Sequence, residues 1–189
     1  MSLQPKTEYT SEEYLALERN AEVKSQYFAG EIFLMAGASE KHNLIVANLI
    51  AEFRSQFKKR PCKVYPSDMR VKVSASGLYT YPDVTVVCGE AQFEDEHKDT
   101  LLNPTLIIEV LSESSEAYDR GKKFEHYRSL EMLSDYLIIA QDKPEVEHFV
   151  RQPDDKWLYS AHSGLNAKVT IESVNCEIML AEVYDKVEI

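Results

Sequence analysis

The segment "LIIEVLSESS" (residues 106–115) places a glutamate, Glu109, inside an otherwise apolar run. The run follows Pro104 and is partly β-branched, which is the pattern of a strand covered on both faces. An ionised carboxylate in such a strand loses its hydration and must be paired, protonated or bound to a metal ion. Glu109 is therefore either a catalytic carboxylate or a strand-end residue that reaches water or an arginine.

The surrounding sequence predicts an α/β or α+β fold, with a central mixed β-sheet flanked by helices. Ser39 caps a long helix in which Val46, Ile50, Phe53 and Phe57 form one apolar stripe. The other segments are read from their periodicity and turn residues. They are helices over 11–19, 116–131 and 178–187, strands over 62–67, 68–73, 81–88, 105–112 and 135–140, an N-terminal hairpin over 25–37, and a C-terminal hairpin over 145–162.

Length and composition predict one domain spanning residues 1–189, because a chain of this size can bury its own core. The start is polar and no apolar stretch is long enough for a membrane helix, so we expect no membrane partner. Cys62, Cys88 and Cys176 are odd in number and form no CxxC pair. That pattern disfavours a disulfide framework and a zinc site, and it predicts a cytoplasmic location.

The net charge of -11 makes the chain a poor non-specific binder of polyanions. A nucleic-acid role therefore needs a local basic surface or a metal ion to offset that charge. The best local candidate is "RSQFKKRPCK" (54–63), although such a run is also typical of the solvated end of a helix. The acidic segment 89–104 is a long loop, and loops of that length are often functional.

Asp83 is a second carboxylate in an unusual position. It follows Pro82 and directly precedes the apolar run "VTVV", which fixes it at the mouth of a strand. Asp83 and Glu109, at the ends of neighbouring strands, would bring oxygen ligands to one hard cation, and Mg²⁺ commonly takes one or two carboxylates. The alternative role for Asp83 is that of a simple turn residue.

A lysine lies in the helix that follows Glu109. The sequence "DRGKKFEHY" (119–127) puts Asp119, Lys123 and Tyr127 on one helical face. This helix can fold its lysine back over the strand end, and two acids, a lysine and Mg²⁺ suit phosphodiester hydrolysis. The metal activates water and neutralises phosphate, while the ammonium stabilises developing charge. Alternatively, Lys123 only pairs with Asp119 on an exposed helix.

The blocks "YPDVTVV" (81–87), "LIIEVLSESSEAYDRGKKFEHY" (106–127) and "GEIFLMAGASEKHNLIVANL" (30–49) carry a resemblance to a known family. They resemble the Uma family of restriction-endonuclease-like bacterial proteins, within the PD-(D/E)XK nuclease superfamily. The resemblance extends from "TSEEYLAL" near the start to "MLAEVY" near the end. It implies a restriction endonuclease-like core, a Mg²⁺ or Mn²⁺ cofactor, and DNA as the partner.

The resemblance also assigns roles to residues. Pro82 and Asp83 match the PD of the superfamily motif, and Glu109 matches its second acid. Leu111 stands where the superfamily pattern has lysine, and Lys123 in the following helix is the residue that matches the family's lysine. The resemblance therefore implies Asp83, Glu109 and Lys123 as catalytic residues. It implies Asp83, Glu109 and the carbonyl of Val110 as metal ligands.

Four further residues are accessory candidates. Glu31 matches a Gly-Glu pair of the family, or is only a strand-edge glutamate in water. His42 lies in the first turn of its helix, where a satisfied core histidine is the more frequent outcome and a role near phosphate or metal the rarer one. Asp68 lines the cleft or caps a strand and pairs with Arg70. Tyr127 packs its ring and directs its hydroxyl inward.

These observations leave three hypotheses for the function. The leading one is a Mg²⁺- or Mn²⁺-dependent endonuclease that hydrolyses DNA phosphodiester bonds. The alternative is an inactive nuclease-fold module that binds nucleic acid or a partner. The net negative charge and the presence of Leu111 at the superfamily's lysine position favour this alternative. A glycosidase with two acids is the third. A homodimer through an exposed strand 134–140 or the hairpin 145–160 would suit a nuclease that cleaves duplex DNA. The sequence does not establish whether the dimer forms.

Overall fold

The computed structural model describes residues 8–112 and 116–189. Two segments that entered the sequence analysis therefore lie outside the described residues: the first part of the polar start, and residues 113–115 between the Glu109 strand and the Lys123 helix. The helices are α1 (Ser11–Glu18), α2 (Glu40–Gln56), α3 (Glu116–Tyr118), a π-helical turn (Asp119–Lys123), α4 (Phe124–Tyr127), a 3₁₀ turn (Glu172–Val174) and α5 (Leu180–Val183).

The strands form two larger sheets and a hairpin. In chain order they are β1 (Ser25–Phe28), β2 (Glu31–Leu34), β3 (Cys62–Pro66), β4 (Arg70–Val73), β5 (Leu78–Thr80), β6 (Val84–Cys88), β7 (Thr100–Leu101), β8 (Leu106–Val110), β9 (Asp135–Ile139), β10 (Glu145–Arg151), β11 (Trp157–Ser163), β12 (Lys168–Ile171) and β13 (Cys176–Met179). The main sheet has the order β11-β10-β9-β8-β6-β3 and is mixed, because β8 and β9 are parallel while their neighbours are antiparallel.

The mixed α+β architecture predicted from the sequence is confirmed, including the N-terminal hairpin β1–β2 and the hairpin β10–β11. The expectation of a single central sheet was too simple. Strands β2-β1-β5-β4-β7 form a second, five-stranded sheet, and β12 pairs with β13 in a hairpin of its own. The β1–β2 pairing in this sheet was predicted, but the pairings of β1 with β5 and of β4 with β7 join segments far apart in sequence, and strands of two to four residues carry little local signal.

Strand β8 is buried on both faces, as its sequence predicts. Leu106, Ile108 and Val110 pack into a core with α2 and the C-terminal segments. Ile107 packs into a separate core on the opposite face, which includes Tyr127 and the second sheet. Because side chains alternate along a strand, Glu109 faces the same way as Ile107, towards Tyr127.

Helix α2 covers one face of the main sheet. Ser39 caps it by accepting a hydrogen bond from the His42 amide. The buried residues inside the helix are Ile45, Leu49 and Phe53, spaced by four, with Phe57 following at the C-terminal end. Phe53 and Phe57 of the predicted stripe are confirmed, whereas its first half is displaced by one residue. Val46 and Ile50 are only partly buried, because the run "LIVANLI" offers two adjacent apolar faces.

The acidic segment 89–104 is tied to the second sheet and includes β7. Its acids are largely paired: Asp95 and Asp99 bind Arg19, and Glu94 binds Lys72. The Arg19 guanidinium beside Asp99 holds the pKa of that carboxyl below its usual range. These pairs connect α1 and the second sheet to the segment, so its acids have structural partners.

The cysteines correct one expectation. Cys62 and Cys88 form a disulfide between β3 and β6, whereas Cys176 is buried and free. The two residues are 26 positions apart in sequence, and only the antiparallel register sets them opposite each other.

The cytoplasmic location stays a prediction. In residues 8–112 and 116–189, no helix combines the length and the apolar character that crossing a membrane requires.

The two surfaces considered for a homodimer differ. Strand β9 is fully buried between β8 and β10, so the expectation of an exposed strand at 134–140 was wrong. Strand β11 does lie at the edge of the main sheet, with Leu158 and Tyr159 exposed. A dimer through the hairpin β10–β11 stays a prediction.

We expect Leu49→Ala to lower the free energy of unfolding by about 2–5 kcal/mol, because the side chain is completely buried between α2 and the main sheet. Urea denaturation followed by circular dichroism measures this. Leu17→Ala is the matched control: it makes the same change in helix α1 at a residue that is 52% exposed, and should cost less than about 1 kcal/mol. Equal losses in both variants would contradict the assignment of the core face.

Candidate active site

Asp83 and Glu109 lie at the same end of the main sheet. Val84 pairs with Ile108 in the antiparallel register of β6 and β8, which sets the preceding Asp83 beside the following Glu109. The Val110 amide donates a hydrogen bond of 2.7 Å to Asp83 Oδ2. The two carboxylates are thus held at the ends of adjacent strands, as the sequence predicts.

Lys123 joins this pair from the helix that follows β8. Its Nζ lies 2.8 Å from Glu109 Oε1, and both side chains are almost completely buried. The Tyr127 hydroxyl donates a second hydrogen bond, of 2.8 Å, to the same oxygen. Lys122 is exposed, so Lys123 is the lysine that meets Glu109. Glu109 is therefore buried and paired at the same time.

The local helix geometry sets the direction of Lys123. Asp119 and Lys123 are the first and last residues of the π-helical turn between α3 and α4, and both are buried. Tyr136 anchors the start of this turn, because its hydroxyl donates to the Asp119 carbonyl oxygen at 3.1 Å. Single π-turns inside α-helices are frequent at functional sites. The predicted common face of Asp119, Lys123 and Tyr127 is present, with the first two at ion-pair distance.

The electrostatics of the cluster follow from its burial. Desolvation raises the pKa of the Glu109 carboxyl to about 8, and the attraction of Lys123 offsets this only in part. Burial alone would lower the pKa of Lys123, but the nearby Glu109 and Asp119 outweigh it and raise that pKa above its usual range. Lys123 therefore keeps its proton, and it supplies a fixed positive charge to the site.

His42 is the fourth side chain at this point. Its Nε2 lies 3.1 Å from Asp83 Oδ2, and its side chain is 14% exposed. The other ring nitrogen, Nδ1, is buried and has no hydrogen-bond partner among the described residues. His42 therefore lies beside Asp83 in the site. The more frequent outcome for its helix position, a core histidine with all hydrogen bonds satisfied, is not found here.

The other two accessory candidates lie outside the site. Glu31 is exposed at the start of β2. Asp68 is 80% exposed and pairs with Lys24, whereas the Arg70 predicted as its partner binds Asp99. The structure therefore brings together His42 and Tyr127, but not Glu31 or Asp68, with Asp83 and Glu109.

A cleft of about 1390 Å³ opens above these residues. Its walls come from the segment after β2 (34–39) and the segment after β9 (140–143). Asp83, Glu109 and Lys123 line its floor together with other polar and apolar residues. The cations along its walls are Lys24, Lys41, Arg120 and Lys143.

The basic run 54–63 does not line this cleft. Arg60 from that run instead donates to the carbonyl oxygen of Asn175, which supports the reading as an ordinary helix end. The residue that sequence reasoning left out of the site is Asp119, which lines the cleft and contacts Lys123. The sequence did indicate this contact, because Asp119 precedes Lys123 by four residues and so lies on the same helical face.

The residues at the floor fit a hard divalent cation. Within 8–112 and 116–189, no group of three His, Cys, Asp or Glu side chains forms a complete metal site. Side-chain ligands would thus come from Asp83 and Glu109, with the Val110 carbonyl and water supplying the remainder. Mg²⁺ is typically bound in this way, by one or two carboxylates and several retained waters.

The chain is similar to proteins that are described as nucleases. The Uma2 family, described as "Putative restriction endonuclease", matches residues 11–179. Two uncharacterized proteins of Synechocystis sp. are 39% identical over 160 residues (85% of this chain and 90% of theirs) and 35% identical over 169 residues (87% of each). A crystal structure of a "putative nuclease belonging to DUF820" from Anabaena variabilis is 19% identical, with a TM-score of 0.77 and coverage of 94% of this chain and 98% of that one.

We expect Lys123→Met to lower the free energy of unfolding by about 3–5 kcal/mol, because it leaves Glu109 and Asp119 without their cation. Glu109→Gln should cost less, because Lys123 then keeps its ion pair with Asp119. The double variant should lose less than the sum of the two, and urea denaturation measures all three. Lys122→Met is the control, since this neighbouring lysine is exposed. A loss in Lys122→Met as large as that in Lys123→Met would refute the assignment of Lys123.

Proposed function

The chain belongs to the Uma2 family, and from that premise we propose that it is a nuclease that hydrolyses DNA phosphodiester bonds with Mg²⁺ or Mn²⁺. The observation that carries the proposal is the convergence of Asp83, Glu109 and Lys123 at the floor of one cleft. Two acids can hold a divalent ion, and a buried cation can stabilise the negative charge that develops on the phosphate, so the group suits metal-assisted phosphodiester hydrolysis.

The residues have distinct roles in this proposal. Asp83, Glu109 and the Val110 carbonyl hold the ion, which when bound supplies an activated water and positive charge for the phosphate. The Val110 amide and His42 both contact Asp83 Oδ2, so they fix the orientation of that carboxylate. Tyr127 fixes Glu109 in the same way, through its hydroxyl.

Lys123 is the catalytic cation in this proposal. Its ammonium is buried and stays charged, so it is already oriented when negative charge develops on the phosphate. A positive charge that is already in place stabilises the developing negative charge more strongly where water is excluded. The lysine comes from the π-helical turn instead of the strand position held by Leu111, and it nevertheless meets Glu109.

Nucleic acid is the proposed partner because the cleft is large and is lined by several cations. Lys24, Lys41, Arg120 and Lys143 lie on those walls and would contact backbone phosphates. The net charge of -11 must be offset locally, and in this proposal the cations that line the cleft and the bound divalent ion do so. We propose DNA as the substrate on the basis of the family.

A second function is favoured by one observation. Lys123 already neutralises Glu109 at 2.8 Å, which is the arrangement expected of a nuclease fold that binds nucleic acid without cutting it. In that case the site would bind nucleic acid equally well with and without a divalent metal ion. Binding of a divalent ion is therefore the property that separates the two functions.

We expect one Mn²⁺ site in isothermal titration calorimetry of the wild-type protein, and its loss in Asp83→Asn and in Glu109→Gln. Each change removes a proposed ligand oxygen, which should weaken binding by at least about tenfold. Asp68→Asn and Glu31→Gln are matched controls, since both remove exposed carboxylates outside the cleft and should leave the affinity unchanged.

The same variants are then tested on a DNA substrate with Mn²⁺. Lys123→Gln should reduce cleavage by about 10²–10³-fold, as expected for the loss of a preorganised positive charge. Near-ultraviolet circular dichroism confirms folding of each variant. A well-folded wild-type protein that binds no divalent ion would rule out the metal-dependent nuclease, and retained DNA binding would then support the recognition module.

A further inference from the structure

Asp119 is a buried carboxylate to which the proposed function gives no task. Its exposed fraction is 2%, and it lines the same cleft as Glu109 and Lys123. Its backbone carbonyl is held by Tyr136, whereas its side-chain oxygen Oδ1 has no hydrogen-bond partner among the described residues. The oxygen does lie 3.2 Å from the Lys123 ammonium, but without the geometry of a hydrogen bond, and an incompletely satisfied buried carboxylate calls for an explanation.

The Lys123 ammonium contacts the two acids unequally. It lies 2.8 Å from Glu109 Oε1 and 3.2 Å from Asp119 Oδ1, and only the first of these oxygens also accepts a hydrogen bond from Tyr127. The ammonium has three N–H donors and rotates freely about its stem. Glu109 Oε1 thus accepts two hydrogen bonds, whereas Asp119 Oδ1 has only the longer ion-pair contact with Lys123 among the described residues.

A divalent cation on Glu109 changes this balance. Lys123 and the cation are both positive, so they repel each other if they share one carboxylate in a buried site. Lys123 cannot move into water, because its side chain is only 6% exposed. Asp119 is the other acceptor within its reach, and it belongs to the same helical turn.

Building on the proposed function, we propose that Asp119 is a second binding position for the Lys123 ammonium. When Glu109 takes a divalent cation, Lys123 exchanges its hydrogen bond to Glu109 for one to Asp119 Oδ1. Both oxygens already lie within 3.2 Å of Nζ, so a small rotation of the side chain completes the exchange. Asp119 is in this sense a positioning residue, and it touches neither the cation nor the substrate.

The charges of the cluster are consistent with this exchange. The carboxyl groups of Asp83, Glu109 and Asp119 stand against the one ammonium of Lys123, and when all three are ionised these four side chains carry two net negative charges. One divalent cation neutralises that charge. Without Asp119, binding of the cation would leave the cluster positive and would separate Lys123 from its only acceptor.

The test is a double-mutant cycle read by Mn²⁺ calorimetry on the full chain. We expect Asp119→Asn to weaken Mn²⁺ binding by about tenfold when Lys123 is present, since the displaced ammonium then lacks an anionic acceptor. In the Lys123→Met background the same change should alter the affinity by less than about twofold, because no ammonium needs to move. Glu116→Gln is the control: this carboxylate also lines the cleft but pairs with Arg120.

Equal weakening by Asp119→Asn in both backgrounds would mean that Asp119 acts only through its charge, and would overturn the proposal. No effect in either background would overturn it as well. A wild-type protein that binds no Mn²⁺ would remove the proposed function together with this inference, whereas Mn²⁺ binding without coupling would remove the inference alone.

A measurement on the wild-type protein keeps the test valid if a variant does not fold. Mg²⁺ is titrated into ¹³C,¹⁵N-labelled protein, and the Lys123 Nζ and Asp119 carboxyl resonances are followed. The exchange predicts that both resonances shift together with that of the Glu109 carboxyl. A shift of the Glu109 carboxyl with no change at Asp119 and Lys123 would overturn the proposal.

Discussion

The burial of one carboxylate organises this end of the molecule. Glu109 lies on a strand covered on both faces, where an unpaired charge is unfavourable. Its partners, Lys123 and Tyr127, come from the helix that follows the strand, so that helix must pack against the main sheet. The same strand end offers the Val110 amide to Asp83. The positions of Lys123 and Tyr127 therefore follow from satisfying Glu109, and that of Asp83 follows from the register of the adjacent strands.

The centre of this site was accessible from the sequence, because its signals are local. A glutamate in an apolar run and an aspartate before another run are visible within a few residues, and helical spacing links Lys123 to Tyr127. The same locality explains the N-terminal hairpin, the caps of α1 and α2, and the hairpin β10–β11. The metal, by contrast, remains a proposal that rests on these groups.

The features that escaped sequence reasoning depend on long-range pairing. The second sheet is built from strands of two to four residues, and the disulfide between Cys62 and Cys88 requires a register that only the folded sheet provides. The rotation of α2 was misjudged because its sequence offers two apolar faces, and only packing selects between them. Glu31 and Asp68 were accessory candidates for the site because of the family resemblance, but both side chains are exposed to solvent outside it.

The cleft walls and the cleft floor belong to different parts of the fold. The acids of the floor are fixed by β6 and β8 of the main sheet, whereas one wall, the segment 34–39, continues from an edge strand of the second sheet. Lys123 and Tyr127, which contact Glu109, come from a different part of the chain. The wall residues before the α2 cap Ser39 can therefore change without breaking the pairing of Glu109, so the same buried acids can lie beneath clefts of different shape.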